Sequence, residues 1–133
     1  MKKHLIMLAL ASSFVAIQAS AMTPDDYKVA KERVEADYKV DKTRCDTLKD
    51  NAEDVCDKEA DAKYKVGKAE LEQQFRPSDA NARRVAEEKL ETAYEVAKEK
   101  CDDQKGDEKD ACMKQADADQ ARGKADLSAM KKN

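Results

Sequence analysis

The chain has 133 residues, of which 41% are charged, and a formal net charge of −3 at pH 7. Acidic and basic residues are interspersed rather than blocked, which describes solvated helix faces. That pattern excludes a concentrated basic footprint for nucleic acid, and the overall sign disfavours an anionic lipid surface. Large apolar residues are few, with no Trp, two Phe and four Tyr. Ordering each residue costs about 1–2 kcal/mol, so a chain with this little to bury is expected to carry covalent staples.

The N-terminus reads as an export signal. Met1-Lys2-Lys3-His4 is a short basic start, Leu5 to Ile17 is an apolar run broken only by Ser12 and Ser13, and Ala19-Ser20-Ala21 is a small-x-small cleavage site. That layout predicts a signal peptide over residues 1–21, cleaved after Ala21, and a periplasmic or secreted mature protein. The apolar run is too short for a spanning helix, and no later stretch approaches membrane-spanning length. An uncleaved N-terminal anchor is the alternative.

Four helices follow. Pro24 with Asp25 and Asp26 opens the first, with Thr23 as its N-cap. Tyr27, Ala30, Val34, Tyr38, Cys45 and Leu48 then fall three, four or seven apart and line one face. Lys49-Asp50-Asn51 breaks the pattern, with Asn51 as the next N-cap and Asp54 three residues on. The second helix carries Ala52, Cys56, Ala60, Tyr64, Gly67, Leu71 and Phe75 on one stripe, and Arg76-Pro77-Ser78-Asp79 ends it because Pro77 cannot continue the hydrogen-bond ladder. The third helix runs from about Asp79 to about Gln104 with Ala82, Ala86, Leu90, Ala93, Tyr94, Ala97 and Cys101 as its seam. Gly106 is a stop signal and Asp107 a cap. The fourth helix, from about Glu108 to about Ala129, is the poorest in large apolar groups. No strand alternation is present.

The chain is also a tandem repeat. At an offset of 56 residues, Tyr38 matches Tyr94, Val40 matches Val96, Cys45 matches Cys101, Cys56 matches Cys112, and Gly67-Lys68-Ala69 matches Gly123-Lys124-Ala125. Ten residues separate the cysteines of each pair. In one unbroken helix, Cys45 and Cys56 would lie about 16 Å apart, whereas a disulfide needs alpha carbons within about 7 Å. A Cys45–Cys56 bridge therefore requires a reversal between them, where the turn signals lie. Of three connectivities, the repeat favours the local one, with Cys45–Cys56 and Cys101–Cys112 each stapling a helical hairpin. The expected fold is all-α, two tandem stapled hairpins in a bundle or an elongated array, divided into residues 22–77 and 78–133.

Catalytic, cofactor and metal residues are expected to be none. The single histidine, His4, falls in the signal, leaving no usual general base near neutral pH. Ser78, Ser128 and Thr23, Thr43, Thr47 and Thr92 have no histidine partner. Zinc sites pair their ligands two to four residues apart, and thiol redox enzymes use C-x-x-C; ten intervening residues fit neither. Asp102-Asp103 and Asp107-Glu108 do not follow calcium-loop spacing and read as capping or solvated acids. The four tyrosines are expected to pack between helices with hydroxyls at the rim.

The pattern Y-x-V-x-K-x-x-C-D, a ten-residue bracket, and x-x-x-A-x-A occurs at Tyr38 to Ala62 and at Tyr94 to Ala118. It resembles a family of small exported Lys/Glu/Ala-rich helical proteins of beta-proteobacteria, often labelled TolA-like cell envelope proteins. Loops of that family usually carry a glycine; Gly106 keeps it in the second loop, and Lys49-Asp50-Asn51 stands in the first. The family brings no catalytic residues. The resulting expectation is a non-enzymatic periplasmic protein with an envelope structural or protein-interaction role, whose partners are other envelope proteins, copies of the same chain included. A chaperone-like binder of unfolded clients is the second expectation, and a thiol-redox or metal-handling protein the third.

Overall fold

A computed structural model describes residues 21–130. The expected export signal, apart from Ala21, lies outside the described residues. The chain forms four helices: α1 (Pro24–Cys45), α2 (Asn51–Phe75), α3 (Asp79–Asp102) and α4 (Gly106–Met130). Among the described residues there is no strand.

The helix ends follow from local chemistry. Thr23 Oγ1 accepts from the Asp26 N–H at 3.1 Å, and the Asp26 carboxylate accepts in return from the Thr23 hydroxyl at 2.6 Å and its N–H at 3.4 Å. This reciprocal box satisfies donors that an α-helix leaves orphaned at its start. At the α2–α3 turn, Ser78 Oγ accepts from the Asn81 N–H at 3.1 Å, and the Asn81 amide donates to the Arg76 carbonyl at 2.7 Å. Pro77 is spanned in three residues, so α2 and α3 run antiparallel.

Two expectations at the stapled turns are corrected. Asn51 is not an N-cap. It is the first residue of α2, preceded by Asp50 at φ 55°, and its side-chain amide donates instead to the Glu99 carbonyl near the end of α3, at 3.0 Å. Gly106 does not stop a helix but opens α4, at φ 58°. Asp50 and Gly106 are repeat equivalents, so both hairpin turns pass through a residue of positive φ at the same place, and Asp50 does so without the glycine freedom.

The helices pack α1 on α2, α2 on α3 and α3 on α4; among the described residues no other helix pair is in contact. This is an open row of four antiparallel helices, not a closed bundle. The α2–α3 junction between the repeats is the most extensive of the three. Ion pairs line it: Lys65–Glu95 at 3.6 Å, Glu70–Lys89 at 2.6 Å and Glu59–Lys100 at 2.6 Å. The up-down order places both stapled tips at the same end.

The buried set is small: Ala60, Ala69, Leu71, Ala116 and cysteines 45, 56 and 101, with Asp41 and Thr92 beside them. Cys45 and Cys101 are the largest wholly buried side chains, so the staples themselves form much of the core. The middle helices bury two faces each. On α2, Cys56, Ala60 and Leu71 belong to the expected stripe, but Ala69 is buried on the other face, with Ala62 and Val66 toward α3. Thr92 of α3 is buried opposite them, its hydroxyl donating to the Glu88 carbonyl at 2.6 Å. Of the expected seam residues, Ala52 and Ala93 are exposed, and Leu48 lies beyond α1 with 40% exposure. A reversal five residues long takes Leu48 off the helical face its spacing implied.

The repeated glycines sit where helices approach closely. A Cβ at Gly67 would lie 3.6 Å from Val34, and one at Gly123 would overlap Leu90. Val34 and Leu90 are themselves repeat equivalents, so each hairpin sets a branched residue of its first helix against a glycine of its second.

Candidate functional site

The residues singled out from sequence, Cys45, Cys56, Cys101 and Cys112, come together in two local bridges. Cys45–Cys56 has its alpha carbons 5.4 Å apart and Cys101–Cys112 5.6 Å apart. No described cysteine is free. Cys45 and Cys101 are 0% and 1% exposed, Cys56 is 9% exposed, and Cys112 is half-buried. Cys112 is therefore the most exposed of the four. Between the two stapled tips runs a shallow groove lined by Leu48, Asn51, Val55, Cys56, Lys100 and Asp103. The Asn51–Glu99 hydrogen bond ties the two tips together across it.

Below the staples, each hairpin carries a polar clasp. The Tyr38 hydroxyl donates to Asp61 Oδ1 at 2.6 Å, and the Tyr94 hydroxyl to Asp117 Oδ1 at 2.7 Å. Tyr27 makes a third such bond, to Glu72 at 2.8 Å. In the first hairpin the rings also stack, Tyr27 on Phe75 at 4.4 Å and Tyr38 on Tyr64 at 4.6 Å. The tyrosines thus pack between helices with hydroxyls at the rim, as their spacing implied. Each donated hydrogen bond favours the neutral phenol, and Tyr27, Tyr38 and Tyr94 all titrate above their ordinary value of 10.0.

The first hairpin adds two ion pairs. Lys63 Nζ lies 2.8 Å from the buried Asp41, with Arg44 at 3.4 Å. The Lys63 hydrogen bond holds the Asp41 carboxyl below its ordinary range. Lys42 reaches Asp57 at 2.6 Å, and that bond raises the Lys42 ammonium above its ordinary range. Both shifts favour the charged form, carboxylate at Asp41 and ammonium at Lys42. The acids of the second loop divide: Asp102 pairs with Lys109 at 2.8 Å, and Asp103, Asp107 and Glu108 are exposed. Among the described residues, no group of three or more His, Cys, Asp or Glu is placed to hold a metal ion.

The clasps were not singled out from sequence. The signal was present: Tyr38 and Tyr94, and Asp61 and Asp117, all hold their identity across the 56-residue offset, and the acceptor follows the donor by 23 positions in both hairpins. Asp41 had no such signal, because its repeat equivalent is Ala97.

No protein family, curated protein or solved structure matches this chain.

Proposed function

We propose that this is an exported, non-enzymatic helical protein of the cell envelope, which acts by binding other proteins along an open row of helices. The observation that carries this reading is the row itself. Each helix is covered only by its chain neighbours, so the outer faces of α1 and α4 and both broad sides of the middle helices face outward on a frame locked by two disulfides. Repeat arrays of this architecture serve as extended binding surfaces. The basic-apolar start with its Ala19-Ser20-Ala21 site and the resemblance to TolA-like envelope proteins support the compartment.

Photo-crosslinking from the exported protein in living cells tests the reading. A photoreactive residue at Leu48 or Val40 is expected to give discrete adducts, while one at the buried Ala60 gives none. Turnover by the purified protein above that of a cysteine-free variant, or a uniform smear of adducts at every exposed position, would overturn it.

A chaperone-like role is the second reading, favoured by the exposure of Val29 at 60%, Val40 at 68% and Leu48 at 40%. Suppression of aggregation of a denatured client supports it; no effect at a stoichiometric ratio removes it.

A further inference from the structure

The row ends in two faces that are repeat equivalents of the faces joined at its centre. On the α2–α3 junction, α3 presents Lys89, Thr92, Ala93, Val96 and Lys100 to Ala62 and Val66 of α2. Fifty-six residues earlier, α1 carries Arg33, Ala36, Asp37, Val40 and Arg44 on the corresponding face. All five of these residues are exposed, and Val40 stands at 68% although its equivalent Val96 lines the central junction. Fifty-six residues after the α2 face, α4 carries Gln115, Ala118, Arg122 and Asp126 outward.

The two outer faces set opposite charges against each other at two of the positions equivalent to the junction. The pairs Glu59–Lys100, Lys65–Glu95 and Glu70–Lys89 fix the antiparallel register of the junction. In that register Val66 lies level with Ala93. Carried to the outer faces, Glu70 opposite Lys89 becomes Asp126 opposite Arg33, with the same signs. Val66 opposite Ala93 becomes Arg122 opposite Asp37, an apolar pair replaced on both sides by opposite charges. Glu59 opposite Lys100 becomes Gln115 opposite Arg44, and Ala62 near Val96 becomes Ala118 near Val40. Lys65 opposite Glu95 becomes Ala121 opposite Lys39, which loses the pair. None of these positions sets like charges against each other. The end faces of a simply capped array need only be polar; these also match in sign.

We infer that the chain docks head-to-tail on a second copy of itself, the outer face of α4 seated on the outer face of α1, repeating the α2–α3 junction between molecules. The contact is heterologous: each chain keeps one used and one open face, so association extends an open row rather than closing a dimer. It is independent of whether other proteins bind elsewhere on the row.

Sedimentation velocity on the oxidised protein, from about 10 μM to about 1 mM, tests this. The expected result is a mass that grows with concentration and falls with salt, because the pairs Asp126–Arg33 and Arg122–Asp37 are solvent-facing and screened. Val40→Glu blocks the α1 face and Ala118→Glu the α4 face. Both positions are exposed, so circular dichroism should match the parent. Each variant alone should be monomeric, and an equimolar mixture should give a one-to-one dimer and nothing larger. Arg122→Asp should weaken association and Asp37→Arg added to it should restore it. A parent chain that stays monomeric throughout overturns the contact. So does an Ala118→Glu chain that associates normally while Val40→Glu does not, which indicates α1 pairing with α1. A monomeric chain that still forms adducts with other envelope proteins overturns the docking and leaves the interaction role standing.

Discussion

Tyr38 donates its hydroxyl to Asp61 across the α1–α2 seam at 2.6 Å, while its ring stacks on Tyr64 at 4.6 Å. The same bond recurs between Tyr94 and Asp117 in the second hairpin, where Gln120 replaces the stacking partner Tyr64. A hydrogen bond to a carboxylate is worth about 1.5–3 kcal/mol when shielded, and less with water at hand. Tyr38→Phe is therefore expected to lower unfolding free energy by roughly 1–2 kcal/mol. Tyr94→Phe, whose bond is exposed, should cost well under that. Urea denaturation of the two variants checks the order; equal losses would mean that the partial burial of the Tyr38–Asp61 bond does not strengthen it.

The pH dependence follows from the same groups. Tyr27, Tyr38 and Tyr94 hold their protons more tightly folded than unfolded, and so does Lys42. Their contribution is complete below the ordinary values of 10.0 and 10.5 and is lost as pH rises through the higher folded values. Asp41 has the opposite sign. Its contribution is complete above the ordinary 3.8 and disappears as pH falls through the lower folded value. Stability should be flat around neutral pH and fall at both extremes. Tyr38→Phe should flatten the alkaline limb and Asp41→Asn the acid limb, read from denaturation midpoints together with tyrosinate absorbance. A variant that leaves its own limb unchanged refutes the assignment of that limb.

Asp50 occupies a backbone conformation, φ 55° and ψ −145°, that suits glycine, and its repeat equivalent is Gly106 at φ 58°. A non-glycine residue in such a region stores about 1–3 kcal/mol. The Asp50 side chain makes no capping hydrogen bond to offset it. Asp50→Gly is expected to raise the melting temperature by several degrees, and Gly106→Asp to lower it. No gain from Asp50→Gly would mean that the carboxylate is stabilised there by the helix start.

The helices, the reversals and the staples were legible because each rests on a local rule. Pro24 and Pro77 mark ends, Thr23 and Ser78 are caps, and the geometric limit on a disulfide forces a bend between Cys45 and Cys56. The open row was not legible. A single apolar stripe per helix accounts for one neighbour, whereas α2 and α3 have two. Their second faces are built from Ala62, Val66, Ala69, Thr92 and Val96, framed by Lys–Glu pairs, and in sequence such a face reads as solvated. Asn51 was misplaced for a related reason: its amide can cap locally, but the end of α3 offers it an orphaned carbonyl, a partner visible only in three dimensions.

The two helix glycines look alike in sequence and should respond differently to alanine. Glycine within a helix costs about 0.5–1 kcal/mol relative to alanine. At Gly67 the new methyl meets Val34 at ordinary contact distance, 3.6 Å, so Gly67→Ala should stabilise by about that amount. At Gly123 the methyl overlaps the end of Leu90. Gly123→Ala should therefore destabilise, or gain nothing while Leu90 is displaced. Leu90→Val, which copies the Val34 arrangement, should rescue it. Thermal denaturation of the three single variants and the Leu90→Val/Gly123→Ala pair gives the coupling; a coupling near zero would show that Leu90 yields without cost.

The staples should be lost in a fixed order. Exchange begins with attack on an accessible sulfur. Cys45 and Cys101 offer almost no surface, Cys56 is 9% exposed and Cys112 is half-buried. Cys101–Cys112 is therefore expected to reduce first, by attack at Cys112, with Cys45–Cys56 following on opening of the first hairpin. Each closed loop contributes roughly 3 kcal/mol by limiting the unfolded chain. With cysteines supplying much of the buried core, the doubly reduced protein should unfold well below the melting temperature of the oxidised form. Timed alkylation with peptide mapping during mild reduction reads the order directly. Reduction of Cys45–Cys56 first would show that opening of the α1–α2 tip, not static access, controls the rate, and would place the weaker end of the row at α1.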